Sequence, residues 1–144
     1  MLREGTILLV EDNPDDELLT RRALLKNNIS NKVVTVRDGQ QALDYFSALD
    51  HSHPLPVLVL LDLNLPALNG HEVLKYLRQH QRTRTLPVVV LTTSNEEADI
   101  NQSYSLGANS FVRKPVDFDS FIDSVGSLGR YWLEINHPPQ VYVC

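Results

Sequence analysis

A chain of 144 residues has the size of one domain, and its 42% hydrophobic and 22% charged residues describe a foldable rather than a disordered composition. Thirteen basic against eighteen acidic residues, a formal charge of −5, argue against a protein built chiefly to hold nucleic acid or an anionic membrane surface. A lone cysteine, Cys144, excludes an intrachain disulfide scaffold, and no apolar run approaches the roughly 20 residues of a spanning helix.

The chain opens on Arg3 and Glu4 ahead of a short apolar run, Thr6–Val10, that ends in two acids, which does not read as a signal peptide. A cytoplasmic, reducing location is expected. Five such β-rich runs recur: 6–10, 32–36, 57–61, 87–91 and 109–112. The first, third and fourth are almost continuously apolar, as strands are when both sheet faces are covered. Each is followed by helical spacing: Leu18, Leu19, Ala23 and Leu25 after the first, and Ala42, Leu43 and Phe46 after the second. Val73, Leu74 and Leu77 follow the third, and Ile100, Tyr104 and Leu106 the fourth. Phe121, Val125, Leu128 and Trp132 follow the fifth. Asn13-Pro14, Asp38 and Ser94 (with Glu97 three residues on) read as helix starts, Gly70 opens the third helix, and Gly107 ends the fourth. Five β-α units with short connections predict an α/β fold, a doubly wound parallel sheet with helices on both faces.

In such folds function gathers past the carboxyl ends of the strands. Those positions hold Glu11 and Asp12, Asp62, Thr92 and Thr93, and Lys114-Pro115. Carboxylates brought together there repel by ~4 kcal/mol per pair at about 4 Å and an effective dielectric near 20. Lys114 offsets one charge of three, so the cluster is expected to recruit a divalent cation, and all-oxygen ligands suit Mg²⁺. An aspartate in such a pocket can accept a phosphoryl group, which Thr92 and Lys114 could hydrogen-bond. Taken singly, each residue has a plainer reading: a helix N-terminus for Glu11-Asp12-Asn13-Pro14, a turn for Asp62, a strand-end hydroxyl for Thr92. The signal is the conjunction of all of them at the strand ends of one fold.

The residues Leu8–Asn13, Leu60–Pro66, Gly70, Pro87–Thr92 and Gly107–Pro115 resemble the receiver domain of two-component response regulators, over about Thr6 to Trp132. The resemblance implies a five-stranded flavodoxin-like sheet of order 2-1-3-4-5 with five helices, a receiver domain at 1–136 and a C-terminal tail at 137–144. It implies that Asp62 accepts a phosphoryl group from a sensor histidine kinase. Asp12, Asp62 and the backbone carbonyl of Asn64 would ligate Mg²⁺, with Glu11 acting through water. Lys114 would bond the phosphoryl oxygens, with its peptide to Pro115 cis, and Thr92 and Phe111 would form the switch pair. Glu11 stands where the family more often has Asp, and Phe111 where it often has Tyr. Asn64 and Ser94 would flank the water that ends the phosphoryl lifetime. A narrower resemblance, to single-domain regulators paired with cyanobacterial phytochromes, rests on Val10–Asn13, Leu61–Pro66, Val90–Ser94 and Tyr131–Glu134.

The output expected is protein–protein contact. Phe118, Ile122, Tyr131, Leu133 and Ile135 widen the apolar surface of the last helix beyond one stripe, and Gly126 and Gly129 each weaken it by about 1 kcal/mol relative to Ala. A homodimer through this helix is expected; the alternative is that Tyr131 and Trp132 only cover the bottom of the sheet. His51, His53, His71, His80 and His137 are scattered along the chain and read as surface or capping residues. Arg78, Arg82 and Arg84 read as cations at a helix C-terminus, and Cys144 as an exposed tail thiol. Among rivals, a flavin protein would want Gly, Ser or Thr where the acids follow the first strand. A phosphohydrolase would carry a second Asp where this chain has Asn64, so no enzyme beyond the domain's own phosphotransfer chemistry is expected. A phosphorylation-independent adaptor of the same fold stays open.

Overall fold

The structure is a computed structural model describing residues 2–50 and 52–139. Its strands are β1 (Ile7–Val10), β2 (Val33–Val36), β3 (Leu58–Leu61), β4 (Val88–Thr92) and β5 (Ser110–Arg113). They alternate with α1 (Pro14–Lys26), α2 (Gly39–Ala48), α3 (Gly70–Gln79), α4 (Glu97–Ser105) and α5 (Phe118–Arg130). All neighbouring strands are parallel, in the order β2-β1-β3-β4-β5, as expected.

Every residue of β1, β3 and β4 is buried, which is why these three strands read as unbroken apolar runs. Side chains alternate between two cores. Ile7, Leu9, Leu58, Leu60, Val89 and Leu91 meet α1 and α5 on one face. Leu8, Val10, Val59, Leu61 and Val88 meet α2 and α3 on the other.

The helix starts behave mostly as read. Asn13 Oδ1 accepts from the Asp15 and Asp16 amides at 2.9 and 3.2 Å, with Pro14 at the first helical position. Asp38 and Asn69 cap α2 and α3 in the same way. Ser94 does not: its hydroxyl donates to Asp99 Oδ2 at 2.6 Å, and α4 begins after Glu96 with no side-chain cap.

Three further expectations are corrected. On α1, Leu18 and Leu25 are exposed, whereas Thr20, Ala23 and Leu24 are buried. Thr20 can be buried because its hydroxyl donates to the Asp16 carbonyl at 2.8 Å. The last helix runs on into a π-helical turn, Tyr131–Ile135, which rotates Trp132 and Leu133 into the α1–α5 core and leaves Tyr131 and Ile135 outside. Leu133 therefore adds nothing to an exposed surface. The Lys114–Pro115 peptide is trans, the isomer X-Pro bonds favour by about 0.5–1 kcal/mol.

No helix among the described residues is long and apolar enough to cross a membrane.

Candidate phosphoryl-transfer site

Register builds the site. Val10 lies beside Leu61 in the β1–β3 ladder, so the next residues, Glu11 and Asp62, emerge side by side. Their backbones continue the ladder: the Glu11 amide donates to Val36 and the Asp62 amide to Val10. On the other side, Thr92 lies beside Arg113, and the Lys114 amide donates to the Thr92 carbonyl at 2.7 Å. Four neighbouring strand ends, those of β1, β3, β4 and β5, thus bring Glu11, Asp62, Thr92 and Lys114 to one hollow at the mouth of the sheet.

Among the described residues one group of three potential metal ligands forms, Glu11, Asp12 and Asp62, with one oxygen from each all within 4.8 Å of one another. Glu11 is 1% exposed and Asp62 7%, while Asp12 stands at the open rim. Lys114, itself 7% exposed, donates to Glu11, to Asp62 Oδ2 at 3.1 Å and to Asp16 Oδ2 at 3.0 Å. All three ammonium protons find carboxylates. Asp16 escaped the sequence reading because an acid in the first turn of a helix is ordinary; only the α1 cap brings it over the hollow.

The electrostatics show a pocket short of positive charge. Burial pushes the Glu11 carboxyl up to about 7; the hydrogen bond from Lys114 opposes this and the neighbouring Asp62 charge adds to it. Burial works to lower the Lys114 ammonium, but Asp62, Glu11 and Asp16 together outweigh it and hold it above its ordinary value. A single cation facing this many carboxylates leaves room for a second, and an all-oxygen donor set of carboxylates fits a hard divalent ion.

Around the hollow, Thr92 is fully buried, and its hydroxyl oxygen accepts from the Ser94 amide at 3.4 Å. The Asn64 amide donates to Asp62 Oδ1 at 3.2 Å. The loop between Asp62 and α3 turns at Ala67, whose φ of 66° is left-handed. Phe111 is half-buried on β5, with its amide donating to the Tyr104 hydroxyl of α4 at 3.2 Å.

The remaining candidates lie elsewhere. His71 bonds Ser103 across α3 and α4, His80 stacks on Tyr76, and His53 pairs with Asp50. No histidine joins the carboxylates among the described residues. Arg78 straps the α3 end to the Gly107 and Thr83 carbonyls and Asn109 Oδ1, a structural brace. Arg82 bonds the Leu49 and His53 carbonyls. His51 and Cys144 lie outside the described residues.

Residues 7–126 match the model of the response regulator receiver domain. The chain belongs to that family. It is 41% identical over 134 residues to the probable methanogenesis regulatory protein FilR2 of Methanothrix harundinacea, covering 92% of this chain and 86% of that one. It is 37% identical over 130 residues to response regulator Rcp1 of Synechocystis, covering 89% and 88%. Among solved structures, the phosphorylated cyanobacterial phytochrome response regulator RcpA superposes with a TM-score of 0.88 at 37% identity, over 95% of this chain and 99% of that one. The Mn²⁺-bound form of Rcp1 gives 0.85 at 36% identity, over 94% and 99%. This receiver domain is thus related to phytochrome response regulators, and receiver domains bind divalent metal.

Proposed function

We propose that Asp62 accepts a phosphoryl group from the phosphohistidine of a sensor histidine kinase in a Mg²⁺-dependent reaction, and that the phosphorylated domain signals through protein–protein contact. The observation that carries this reading is Lys114 held among Glu11, Asp62 and Asp16 beside a rim aspartate: a buried anionic hollow with one cationic arm. In the transfer, an Asp62 oxygen attacks phosphorus, the P–N bond breaks, and the imidazole leaves and takes up a proton. Hydrolysis returns the Asp62 carboxylate and inorganic phosphate.

The residues divide the work. Asp12, Asp62 and the Asn64 carbonyl hold the cation, with Glu11 behind them; bound there it supplies positive charge to the phosphoryl oxygens. Lys114 bonds a phosphoryl oxygen, as the Thr92 hydroxyl does after turning toward it, and Phe111 moves into the space released. The receiver spans 1–136, and 137–144 is a tail. RcpA is a phytochrome response regulator, which supports a phytochrome kinase as the donor; the cytoplasm is the location we assign to the domain. Exposed Phe118, Tyr131 and Ile135 around α5 support a homodimer through that region.

Incubation with labelled acetyl phosphate and Mg²⁺ should label the protein, and Asp62→Asn should lose the label. Retention of label by that variant at the unsubstituted level refutes the assignment. Transfer from a phytochrome kinase no faster than from an unrelated histidine kinase refutes the donor. An Ile135→Asp protein that sediments as an unchanged dimer refutes the interface.

A further inference from the structure

Lys114 has three ammonium protons, and in this structure all three are taken by carboxylates. A phosphoryl group on Asp62 needs one of them. The three partners are not equally free to let go. The Glu11 side chain is 1% exposed and that of Asp62 9%, whereas that of Asp16 is 30% exposed and can turn into water. Asp16 also sits on the first turn of α1, held there by the Asn13 cap on its amide at 3.2 Å. Its carbonyl holds the Thr20 hydroxyl, so the backbone stays put while the carboxylate rotates.

We infer that Asp16 is a positioning residue that competes with the phosphoryl group for Lys114. The unphosphorylated state keeps the Asp16–Lys114 pair; the phosphorylated state exchanges it for a bond from Lys114 to a phosphoryl oxygen. Asp16 thereby disfavours the phosphorylated state twice, by withholding a donor and by adding a negative charge beside an incoming anion. This rests on the proposed role of Asp62 and deepens it: the sequence equips the site with its own brake.

The Lys114–Asp16 bond is charge-assisted but part-exposed, so removing it corresponds to a roughly tenfold effect. The test is the affinity of the full chain for beryllofluoride, a non-covalent phosphoryl analogue, with saturating Mg²⁺, read by fluorine NMR. Asp16→Asn should bind it about tenfold more tightly. Asp15→Asn, an exposed neighbour in the same turn with the same change of net charge, should leave affinity within about twofold, since long-range charge is screened there. A merely structural lesion at position 16 would weaken binding, so the gain is the diagnostic readout.

Failure is separable. If the unsubstituted protein binds beryllofluoride and takes label while Asp16→Asn binds no tighter, or Asp15→Asn gains equally, the competition is wrong and the role of Asp62 stands. If the unsubstituted protein neither binds the analogue nor takes label, both fall.

Discussion

The Glu11 carboxyl makes the metal-free protein unusual in its response to pH. Its ordinary value of 4.5 is raised to about 7 in the fold. Between those values the folded state holds a proton that the unfolded chain has lost, so stability falls as pH rises. The loss begins near the unfolded value and is complete above the folded one. A gap of this size corresponds to about 3 kcal/mol, by the linkage of about 1.4 kcal/mol per pKa unit. Lys114 adds no slope in this window: its ordinary value and its raised folded value both lie far above it, so the ammonium is charged in both states and its stabilisation is lost only as pH rises from the ordinary value through the folded one. The carboxyls held low, Glu17, Asp50 and Asp117, titrate below the window and have completed their contribution before pH 5.

Thermal unfolding in chelator should therefore show Tm falling by roughly 10 °C between pH 5 and pH 8, taking about 3–4 °C per kcal/mol for a domain of this size. Glu11→Gln should flatten the curve. Mg²⁺ should restore Tm at pH 8 and do little at pH 5, because the cation requires the ionised carboxylate. A Tm that is level or rising over this range in chelator, or a slope that survives Glu11→Gln, would refute the charge balance assigned to the hollow.

Two other outcomes follow from packing. A Cβ at Gly70 would stand 2.4 Å from the Asp62 carbonyl oxygen and 2.7 Å from the Leu63 Cα. Gly70→Ala should cost about 1–3 kcal/mol in urea unfolding and slow labelling of Asp62 by pushing α3 against the strand end that carries it. Trp132 is 9% exposed in the α1–α5 core, so Trp132→Ala should lower unfolding free energy by about 3–5 kcal/mol whatever the oligomeric state. Near-neutral stability in that variant would contradict the core placement of the π-helical turn.

The sequence made legible whatever is set by strand periodicity. All five strands lie within one residue of their expected bounds, and Glu11, Asp62, Thr92 and Lys114 fall at strand ends because the strands do. Side chains placed by helix rotation were harder. Leu18 and Leu25 fit an apolar stripe on α1, yet the face that packs carries Thr20, whose polarity is neutralised within the helix. Ser94 and Glu97 have capping-box spacing, but the cap position falls at Glu96, two residues after Ser94, whose hydroxyl oxygen accepts from the Glu96 amide while its proton goes to Asp99. Asp16 could not be told from any first-turn acid, since its partner lies 98 residues away in sequence. The widening of the apolar stripe past residue 130 was visible; that a π turn would divide those residues between core and surface was not.

The two glycines of α5 face α1 at very close range: a Cβ on Gly126 would lie 2.2 Å from Asn27 Oδ1, and one on Gly129 2.3 Å from Ile29 Cδ1. Asn27 in turn donates to the Ile122 carbonyl at 2.9 Å. Residue choice along this seam is consequently joint. Enlarging position 126 displaces the Asn27 amide from the Ala23 and Ile122 carbonyls, and enlarging position 129 makes the tip of Ile29 turn aside, so a chimera that transplants α5 keeps its fit best when residues 27–29 travel with it.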